Sequence, residues 1–397
     1  MAEPTLLAAQ ELIVQALSPL PTEELPLTEA VGRIAARAIA APAAVPAFPR
    51  SAMDGYLVLS ADLSRSRKPV PFQVIGEISA GATSFPKLTP GSAIRIMTGS
   101  AVPPGASQVV PFELCRLAGE QVFIDLVPNR GAFLRPKGAD LKKGQTIIRQ
   151  GRPIAPEHLP LLAESGINTV TVVRQPAVGI TCTGSELLAL GAAPQTGQII
   201  SGNRFLLDGL TRQARALPLD LGLVADKLAD IAGKLDAALA GPADIILTTG
   251  GMGPGKYDLL PRAFSHLGIT PLYGALAVRP GRSTMFGLAK GKAIFALPGP
   301  PPAVFLLFHE LVAPAIRRLR GLATPLPPLH KAILAEPIRL KKRGLLNLKG
   351  AVTTLKETTL TIRPSRSLEP ADAIIHIPAH RRQLQPGERV SFRPLSE

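Results

Sequence analysis

The sequence has few of the residues that build disulfide, metal and membrane proteins. Its 397 residues include two cysteines, six histidines and no tryptophan. Two cysteines far apart exclude a disulfide framework and a four-cysteine zinc site, and no histidines have a metal-binding spacing such as HExxH. Glu3 and Glu11 stand where a signal peptide would need a basic region and an apolar run, and no stretch approaches the ~18 apolar residues of a membrane span. We therefore expect a cytoplasmic protein without membrane contact.

Negative charge is also scarce. The sequence has 29 Asp and Glu against 44 Lys and Arg, a formal net charge of +15. Such an excess favours an anionic partner, either nucleic acid or a phosphorylated small molecule, or else reflects a general compositional bias. With no nucleic-acid-binding motif and few aromatic residues, we expect no nucleic-acid binding.

Composition divides the chain into segments of different character. Residues 5–17 have the apolar spacing of a helix, and residues 28–39 fit a second short helix before a Pro/Ala-rich connector. From 51 to about 138, short apolar runs alternate with Gly/Pro turns, as in a compact all-β module. Residues 175–325 alternate strands and helices, which predicts βαβ units in a parallel sheet. After a second Pro cluster at 323–330, five short β runs suit a small barrel or sandwich.

Acidic side chains follow three predicted strands of the α/β segment. Glu186 lies in TGSELLALG, Asp226 follows LGLV, and Asp258 lies beyond the loop TTGGMGPGK. Each has a local interpretation, and Glu186 could cap a helix that follows it. Ligands of parallel sheets bind beyond the carboxyl ends of the strands, so the three carboxylates together favour a ligand site there.

The loop before Asp258 has the composition of an anion-binding turn. Gly250, Gly251, Gly253 and Gly255 would let backbone N–H groups approach a phosphate, against which Asp258 could hold Mg²⁺. The loop lacks the Lys-Ser/Thr of a Walker A motif and the Rossmann spacing. A tight turn without a ligand explains it equally well.

Two further loops of this segment suit contact with a ligand. Arg279 and Arg282 flank a Pro-Gly turn, and guanidinium groups suit phosphate or another oxyanion, although both could simply be solvated. Pro298 and Gly299 lie in LPGPPPA, which is either a rigid loop held against a ligand or a plain strand-to-helix turn. In the β module, Asp54 and Thr98 each precede a glycine and by default are turn residues.

These segments together resemble one family. SAMDGYLV, GEISAG, RIMTGSAVPPGASQVVPFE, LRPKGADLKKGQTI, TGSELLALG, TTGGMGPGKYD, RPGRS and LPGPPPA occur in the order seen in molybdopterin molybdenumtransferases, the molybdenum insertases of molybdenum-cofactor synthesis. The resemblance covers nearly the whole chain and is weakest after about residue 326. It implies an enzyme that converts adenylylated molybdopterin and molybdate to molybdenum cofactor and AMP with Mg²⁺.

The resemblance also implies a multidomain α/β plus β architecture. A discontinuous mixed linker domain would combine 1–45 with 139–174, and a β-rich domain would be inserted at 46–138. A parallel-sheet α/β molybdopterin-binding domain would span 175–325, and a small β-barrel would span 326–397. Such proteins are homodimers whose active site lies between the α/β domain of one subunit and the β domain of its partner. A molybdopterin adenylyltransferase is the candidate partner that delivers the substrate.

The residues carried over by motif form three groups. The catalytic group has Asp54 and Thr98 reaching across the dimer to Glu186, Asp226 and Asp258, of which Asp226 and Asp258 hold the metal. The second group binds the pterin and its phosphate and comprises Gly250, Gly251, Gly253, Gly255, Pro298 and Gly299. The third group, Arg279 and Arg282, binds molybdate.

The sequence departs from the family pattern in these same loops. Met252, Gly253, Pro254 and Lys256 replace the valine, serine, valine and acidic residue of the usual glycine loop, PGRS replaces PGKP, and LPGPP replaces LPGNP. The alternative is therefore a catalytically reduced molybdopterin- or nucleotide-binding protein on the same fold. Stand-alone molybdopterin adenylyltransferases share the α/β motifs but lack the MDGY and TGSAVPPGA module.

Overall fold

A computed structural model describes residues 3–63, 71–105, 108–252, 259–367 and 369–395. The predicted N-terminal helix is confirmed as α1 (Leu6–Ala16), which begins where the Thr5 hydroxyl accepts the Ala8 N–H at 3.2 Å. Its buried side packs into the core of the α/β unit. None of the described helices combines the length and apolar composition that a membrane span requires.

The predicted helix at 28–39 is wrong. Only a 3₁₀ turn, Leu27–Glu29, forms there, between β1 (Thr22–Pro26) and β2 (Ile39–Ala40). Ile34 and Ala35 instead make β-bridges to residues 153 and 172 and are buried by them. Pairing with a distant part of the chain therefore overrides the local helix propensity.

The next segment is a six-stranded sheet, as the alternation of apolar runs and turns predicts. Its elements are β3 (Arg50–Ser51), β4 (Gly55–Val58), α2 (Ser60–Leu63), β5 (Pro71–Ile78), β6 (Ser92–Ile96), β7 (Gln108–Pro111), β8 (Cys115–Ala118), β9 (Gln121–Ile124) and β10 (Leu134–Arg135). The main sheet has the order β7-β4-β6-β5-β9-β8, while β3 pairs with β10. Successive residues of β4 face opposite sides, so Tyr56 and Val58 enter one apolar cluster and Leu57 enters another.

The chain then returns to its first segment. The returning elements are β11 (Thr146–Ile148), α3 (Leu159–Glu164) and β12 (Thr169–Val173). β11 pairs with β2, and β12 pairs with β1 in antiparallel register. Gly166, with φ +94°, follows α3 in the conformation typical of a helix C-cap. The exact domain bounds remain a prediction.

The α/β unit is built around a second six-stranded sheet. Its elements are β13 (Ala177–Thr183), β14 (Leu187–Leu188), β15 (Ile199–Ile200), α4 (Gly202–Gln213), β16 (Leu217–Val224), α5 (Leu228–Ala240), β17 (Ile245–Thr249), α6 (Leu260–His266), β18 (Pro271–Tyr273), β19 (Val278–Arg279), β20 (Met285–Ala289), β21 (Lys292–Leu297), α7 (Pro301–Leu307) and α8 (Ala313–Leu319). The order is β16-β13-β17-β21-β20-β18; the first four strands are parallel, β20 runs antiparallel to β21, and β18 runs antiparallel to β20. β13 and β17 are buried along their whole length, as expected for strands covered on both faces.

The C-terminal segment closes into a barrel, one of the two forms that its β runs predicted. Its strands are β22 (His330–Leu334), β23 (Ile338–Arg339), β24 (Leu346–Lys356), β25 (Thr359–Pro364), β26 (Ala373–Ile377), β27 (Gln383–Leu384) and β28 (Arg389–Pro394). The order β24-β25-β22-β28-β26 closes because β26 also pairs with β24. β19 of the α/β unit adds to β24, so the two units share hydrogen bonds.

A buried ionic cluster joins the α/β unit, α1 and the barrel. A π-helical turn, Phe308–Val312, connects α7 to α8 and carries Glu310, whose side chain is 0% exposed. Its carboxylate lies 2.7 Å from His376 Nε2 in β26 and accepts the Arg393 Nε–H of β28 at 2.9 Å. The amide of Gln10 in α1 donates to the same carboxylate and to the Glu310 carbonyl oxygen, both at 2.8 Å. Burial alone would raise the pKa of Glu310, but the bonds to His376 and Arg393 outweigh it and lower that pKa.

Replacing Glu310 is therefore expected to loosen the joint between these units. Glu310→Gln would leave the Arg393 guanidinium buried without its carboxylate, which typically costs ~3–5 kcal/mol of unfolding free energy. The pKa of Glu310 is lowered in the folded state. The loss of unfolding free energy is therefore largest above the ordinary pKa of 4.5, and it shrinks as the pH falls through the folded-state pKa. Urea unfolding at neutral and acidic pH measures both effects.

Asp208→Asn is the matched control, because Asp208 pairs with Arg212 on the exposed face of one helix. Exposed pairs of this kind contribute at most ~0.5 kcal/mol. Equal losses in the two variants would contradict the role given to the buried cluster.

Candidate active site

The parallel register brings four loops to one edge of the α/β sheet. Thr183 at the end of β13 is level with Val224 of β16, Cys182 with Thr249 of β17, and Thr249 in turn with Leu297 of β21. The loops that follow these strands therefore leave the sheet side by side. They contain the sequence-predicted residues Glu186, Asp226, Gly250, Gly251, Pro298 and Gly299.

The Glu186 and Asp226 loops are bonded to each other. The Ser185 N–H donates to Asp226 Oδ2 at 3.0 Å, and the Asp226 N–H donates to the Ser185 hydroxyl oxygen at 3.0 Å. The Glu186 carboxylate folds against Gly184, where an added Cβ would lie 2.7 Å from both of its oxygens. Glu186 caps no helix: the next residues form β14, paired with β15, so that part of the prediction is wrong. Two carboxylates thus lie in neighbouring, mutually fixed loops.

The first residue of the glycine loop, Gly250, has a backbone conformation and close neighbours that only glycine tolerates. Gly250 has φ +90°, and a Cβ there would lie 2.4 Å from the Thr183 carbonyl oxygen. Its N–H donates to the Leu297 carbonyl at 3.1 Å, while the Thr183 hydroxyl donates to the Thr249 carbonyl at 3.0 Å. Gly251 also has a positive φ, +59°. Gly253, Gly255 and Asp258 lie outside the described residues, so their placement stays a prediction.

Sequence reasoning missed the polar residues at the start of α4. The Asn203 amide donates to the Gly299 carbonyl at 2.7 Å and lies 3.5 Å from the Thr249 hydroxyl, which ties α4 to two loops of the edge. Asn203 Oδ1, the Ser201 hydroxyl and the Thr248 hydroxyl are buried without a hydrogen-bond partner in the described part of the chain. Buried polar atoms are normally satisfied, so these are candidates for contact with a ligand. The sequence feature that could have indicated these residues is Ser201-Gly202-Asn203 at the start of α4.

Asp54 and Thr98 form a pair on the inserted sheet. The Thr98 N–H and hydroxyl both donate to Asp54 Oδ1, at 2.7 and 2.6 Å, and these bonds lower the pKa of Asp54. Gly55 is required beside them, because a Cβ there would lie 2.2 Å from the Val110 carbonyl oxygen. Among the described residues, no hydrogen bond or ion pair joins Asp54 or Thr98 to the α/β edge of the same chain.

The two predicted oxyanion-binding arginines differ in their surroundings. Arg282 donates from Nε to both carboxylate oxygens of Glu3, at 2.9 and 3.0 Å, and lowers the pKa of that carboxyl. Arg279 lies exposed in β19, level with Asn347 of the barrel. An oxyanion at Arg282 would therefore share or displace the Glu3 carboxylate.

No group of three or more His, Cys, Asp or Glu residues in the described ranges could hold a metal ion on its own. Magnesium needs fewer protein ligands, because it usually binds one or two carboxylates together with substrate phosphates. Asp226 uses Oδ2 for the Ser185 N–H, and Asp258 lies outside the described residues. Asp226 is therefore the one carboxylate of the predicted Mg²⁺ pair in the described part of the chain, and the metal site stays a prediction.

Comparisons with known proteins match two segments of the chain to family models. Residues 5–166 match a family model described as the MoeA N-terminal region (domains I and II), and residues 179–318 match a probable molybdopterin binding domain. These matches place the chain in the class of proteins that combine a MoeA N-terminal region with a probable molybdopterin binding domain. The solved molybdopterin biosynthesis MoeA protein of Pyrococcus horikosii aligns over 100% of both chains with a TM-score of 0.84 and 27% identity.

Curated relatives narrow the class to one enzyme family. The molybdopterin molybdenumtransferase of Haemophilus influenzae is 35% identical over 350 residues, covering 88% of this chain and 83% of the relative. That of Bacillus subtilis is 33% identical over 390 residues, covering 95% and 90%. The chain belongs to the molybdopterin molybdenumtransferase family. It is accordingly a transferase that acts in molybdenum insertion during cofactor biosynthesis.

The loop geometry predicts that a glycine substitution at this edge weakens binding, whereas one at an exposed helical glycine does not. Gly250→Ala would drive a Cβ into the Thr183 carbonyl at a positive φ, so we expect the loop to shift and molybdopterin binding to weaken by about tenfold or more. Gly233→Ala is the matched control, because open space surrounds that exposed position of α5, away from the four loops. Titration of both variants with molybdopterin measures the difference, and equal affinities would contradict the described loop.

Proposed function

We propose that the chain converts adenylylated molybdopterin and molybdate to molybdenum cofactor, with release of AMP. The observation that carries this proposal is the convergence of Glu186, Asp226 and the Gly250–Gly251 turn at one sheet edge. Donors and carboxylates at such an edge suit a phosphoric anhydride, whose cleavage requires charge neutralisation and an oriented water.

The residues of the edge divide these tasks. The backbone N–H groups of the glycine loop would bind the phosphate of the pterin, and the unpartnered Ser201 and Asn203 atoms would contact the same substrate. Asp226, with Asp258, would hold Mg²⁺, which neutralises phosphate charge when bound. Glu186, fixed against Gly184 beside Asp226, would orient the attacking water. Water adds to one phosphorus of the anhydride and AMP leaves.

The oxyanion substrate would bind near the two arginines. Molybdate suits guanidinium groups, and Arg282 already binds a carboxylate, that of Glu3, through both oxygens. That contact supports anion binding at Arg282 and also places an internal competitor there. Arg279 adds a second positive charge three residues away.

The active site would be shared between two subunits of a homodimer. Both Thr98 donors bond Oδ1 of Asp54, and neither bonds its Oδ2. The pair of Asp54 and Thr98 is exposed on the inserted sheet. Since its described bonds do not link it to the α/β edge of its own chain, a partner subunit would bring the two together. A cytoplasmic setting and a molybdopterin adenylyltransferase that supplies the substrate complete the proposal.

A substrate-binding protein with reduced catalysis remains the second candidate. The observation that favours it is the start of α7, where Pro300 occupies the N-cap without any side-chain hydrogen bond. The family pattern has an asparagine at this position, so an amide that could contact the ligand is absent at Pro300.

Incubation with adenylylated molybdopterin, Mg²⁺ and molybdate separates the two candidates. We expect AMP and molybdenum cofactor to form together, and Glu186→Gln and Asp226→Asn to slow both by about a hundredfold or more. Asp236→Asn is the control, because Asp236 pairs with Lys290 on the exposed face of α5. Stoichiometric substrate binding without AMP would favour the second candidate.

A further inference from the structure

The barrel carries two basic segments that the proposed reaction does not use. Residues 338–344, IRLKKRG, and residues 378–383, PAHRRQ, together contain six lysines and arginines and no Asp or Glu. Four of the cationic side chains are exposed and, in the part of the chain that the structure describes, have no ion-pair partner: Arg339, Lys341, Lys342 and Arg343. These segments therefore present positive charge to solvent.

The fold brings the two segments together, because β23 pairs with β27 in antiparallel register. The Leu340 N–H donates to the Arg382 carbonyl oxygen at 2.8 Å, and the Arg382 Nε–H donates to the Leu340 carbonyl oxygen at 3.3 Å. Further along, the Gly344 N–H donates to the Ala379 carbonyl oxygen at 2.9 Å. These bonds hold both segments at one place on the barrel, which we call the basic surface.

The carboxylates that flank the two segments in sequence have other partners. Glu336 lies 3.4 Å from Arg366, and Glu388 binds Arg381. Neither carboxylate neutralises the exposed cations of the basic surface. A negatively charged partner would relieve the repulsion among these cations and would be attracted to them over a distance.

An apolar groove adjoins the basic surface. Its volume is about 740 Å³, and Gly344, Pro378 and Ala379, which belong to the two basic segments, lie in its wall. Its lining also includes Leu7 of α1, which is 60% exposed, and Leu329 before β22, which is 48% exposed. Apolar surface bordered by polar and charged residues is the usual arrangement of a protein–protein interface.

The shape and composition of this region favour a protein partner over nucleic acid or a lipid surface. Residues 338–344 and 378–383 contain no Phe, Tyr or Trp on which the bases of a single strand could stack. A duplex would meet the cations with its phosphates and leave the exposed leucines uncovered. A lipid surface receives protruding apolar side chains, whereas the leucines here line a concavity.

We propose that the basic surface and the groove together form a docking site for a segment of another protein that carries acidic residues beside apolar ones. The acidic side chains would contact Lys341, Lys342 and Arg343, and the apolar side chains would cover Leu7 and Leu329. The docking site is separate from the candidate active site, because none of the described carboxylates or glycines of that site lines the groove.

A synthetic peptide tests the docking site. The probe is a short, fluorescently labelled peptide with two leucines between runs of glutamate, and its anisotropy is followed as the full chain is added. We expect saturable binding that weakens as the salt concentration rises, because salt screens exposed charges. A peptide with serines in place of the leucines, and one with lysines in place of the glutamates, should each bind about tenfold more weakly.

Two double variants of the chain separate local charge from net charge. Lys341→Gln combined with Lys342→Gln should weaken binding of the glutamate–leucine peptide by about tenfold. The matched control combines Lys142→Gln with Lys143→Gln, because these are also adjacent, exposed lysines and their loss changes the net charge equally. We expect the control to bind like the unchanged chain. Equal losses in the two double variants would overturn the proposal.

Leu7→Gln and Leu190→Gln give the corresponding test of the groove. Both leucines are exposed, but Leu7 lines the groove and Leu190 follows β14 outside it. We expect Leu7→Gln to weaken binding of the peptide by about fivefold and Leu190→Gln to leave it unchanged. If Leu7→Gln alters only the self-association of the chain, the groove is an interface between copies and the proposal is overturned.

Duplex DNA of arbitrary sequence and phosphatidylserine vesicles are the competing probes. Tighter binding of either one, with the same dependence on Lys341 and Lys342, would overturn the proposal in favour of that partner. Absence of peptide binding, or equal binding of the leucine and serine peptides, would overturn it as well. All of these titrations omit the pterin substrate, so their outcome is independent of the proposed reaction.

Discussion

The parallel register of β16, β13, β17 and β21 is the constraint on which the rest of the site depends. This register pairs Thr183 with Val224 and Thr249 with Leu297, so that four loops leave the sheet at one edge. β13, β17 and β21 are buried along nearly their whole length, and a slip of one residue would exchange the side chains that pack on their two faces. The close approach of Gly250 to Thr183 and the Ser185–Asp226 bonds are consequences of that alignment.

A second constraint connects the sheet to the barrel. The helix after the LPGPPPA loop widens into a π-helical turn at Phe308–Val312, and such turns often occur at functional positions. Here the turn directs Glu310 into the joint with the barrel and buries His309 against Phe305 and Phe308. One irregular turn thus links the loop at the active edge to two buried polar groups on the far side of the unit.

The sequence predicted the elements whose burial leaves a local periodicity. It did not predict the elements and contacts that depend on residues distant in sequence. The helix at 5–17, the βαβ segment and the C-terminal β runs were predictable because burial leaves a pattern in consecutive residues. The predicted helix at 28–39 was wrong because Ile34 and Ala35 pair with Pro153 and Val172, more than a hundred residues away. Asn203 and Glu310 were missed because their partners, Gly299 and Arg393, are distant in sequence. Asp54 and Thr98 lie together as their shared motif set implied, while their action across a dimer stays a prediction.

The central claim is that the substrate binds where these four loops meet, and a crystal structure of the chain with adenylylated molybdopterin tests it most directly. We predict pterin phosphate within hydrogen-bond distance of the Gly251 N–H and the anhydride beside Glu186 and Asp226. A ligand seated elsewhere would contradict it, for example in the 740 Å³ apolar cavity between α1 and the barrel that Leu7 and Leu346 line.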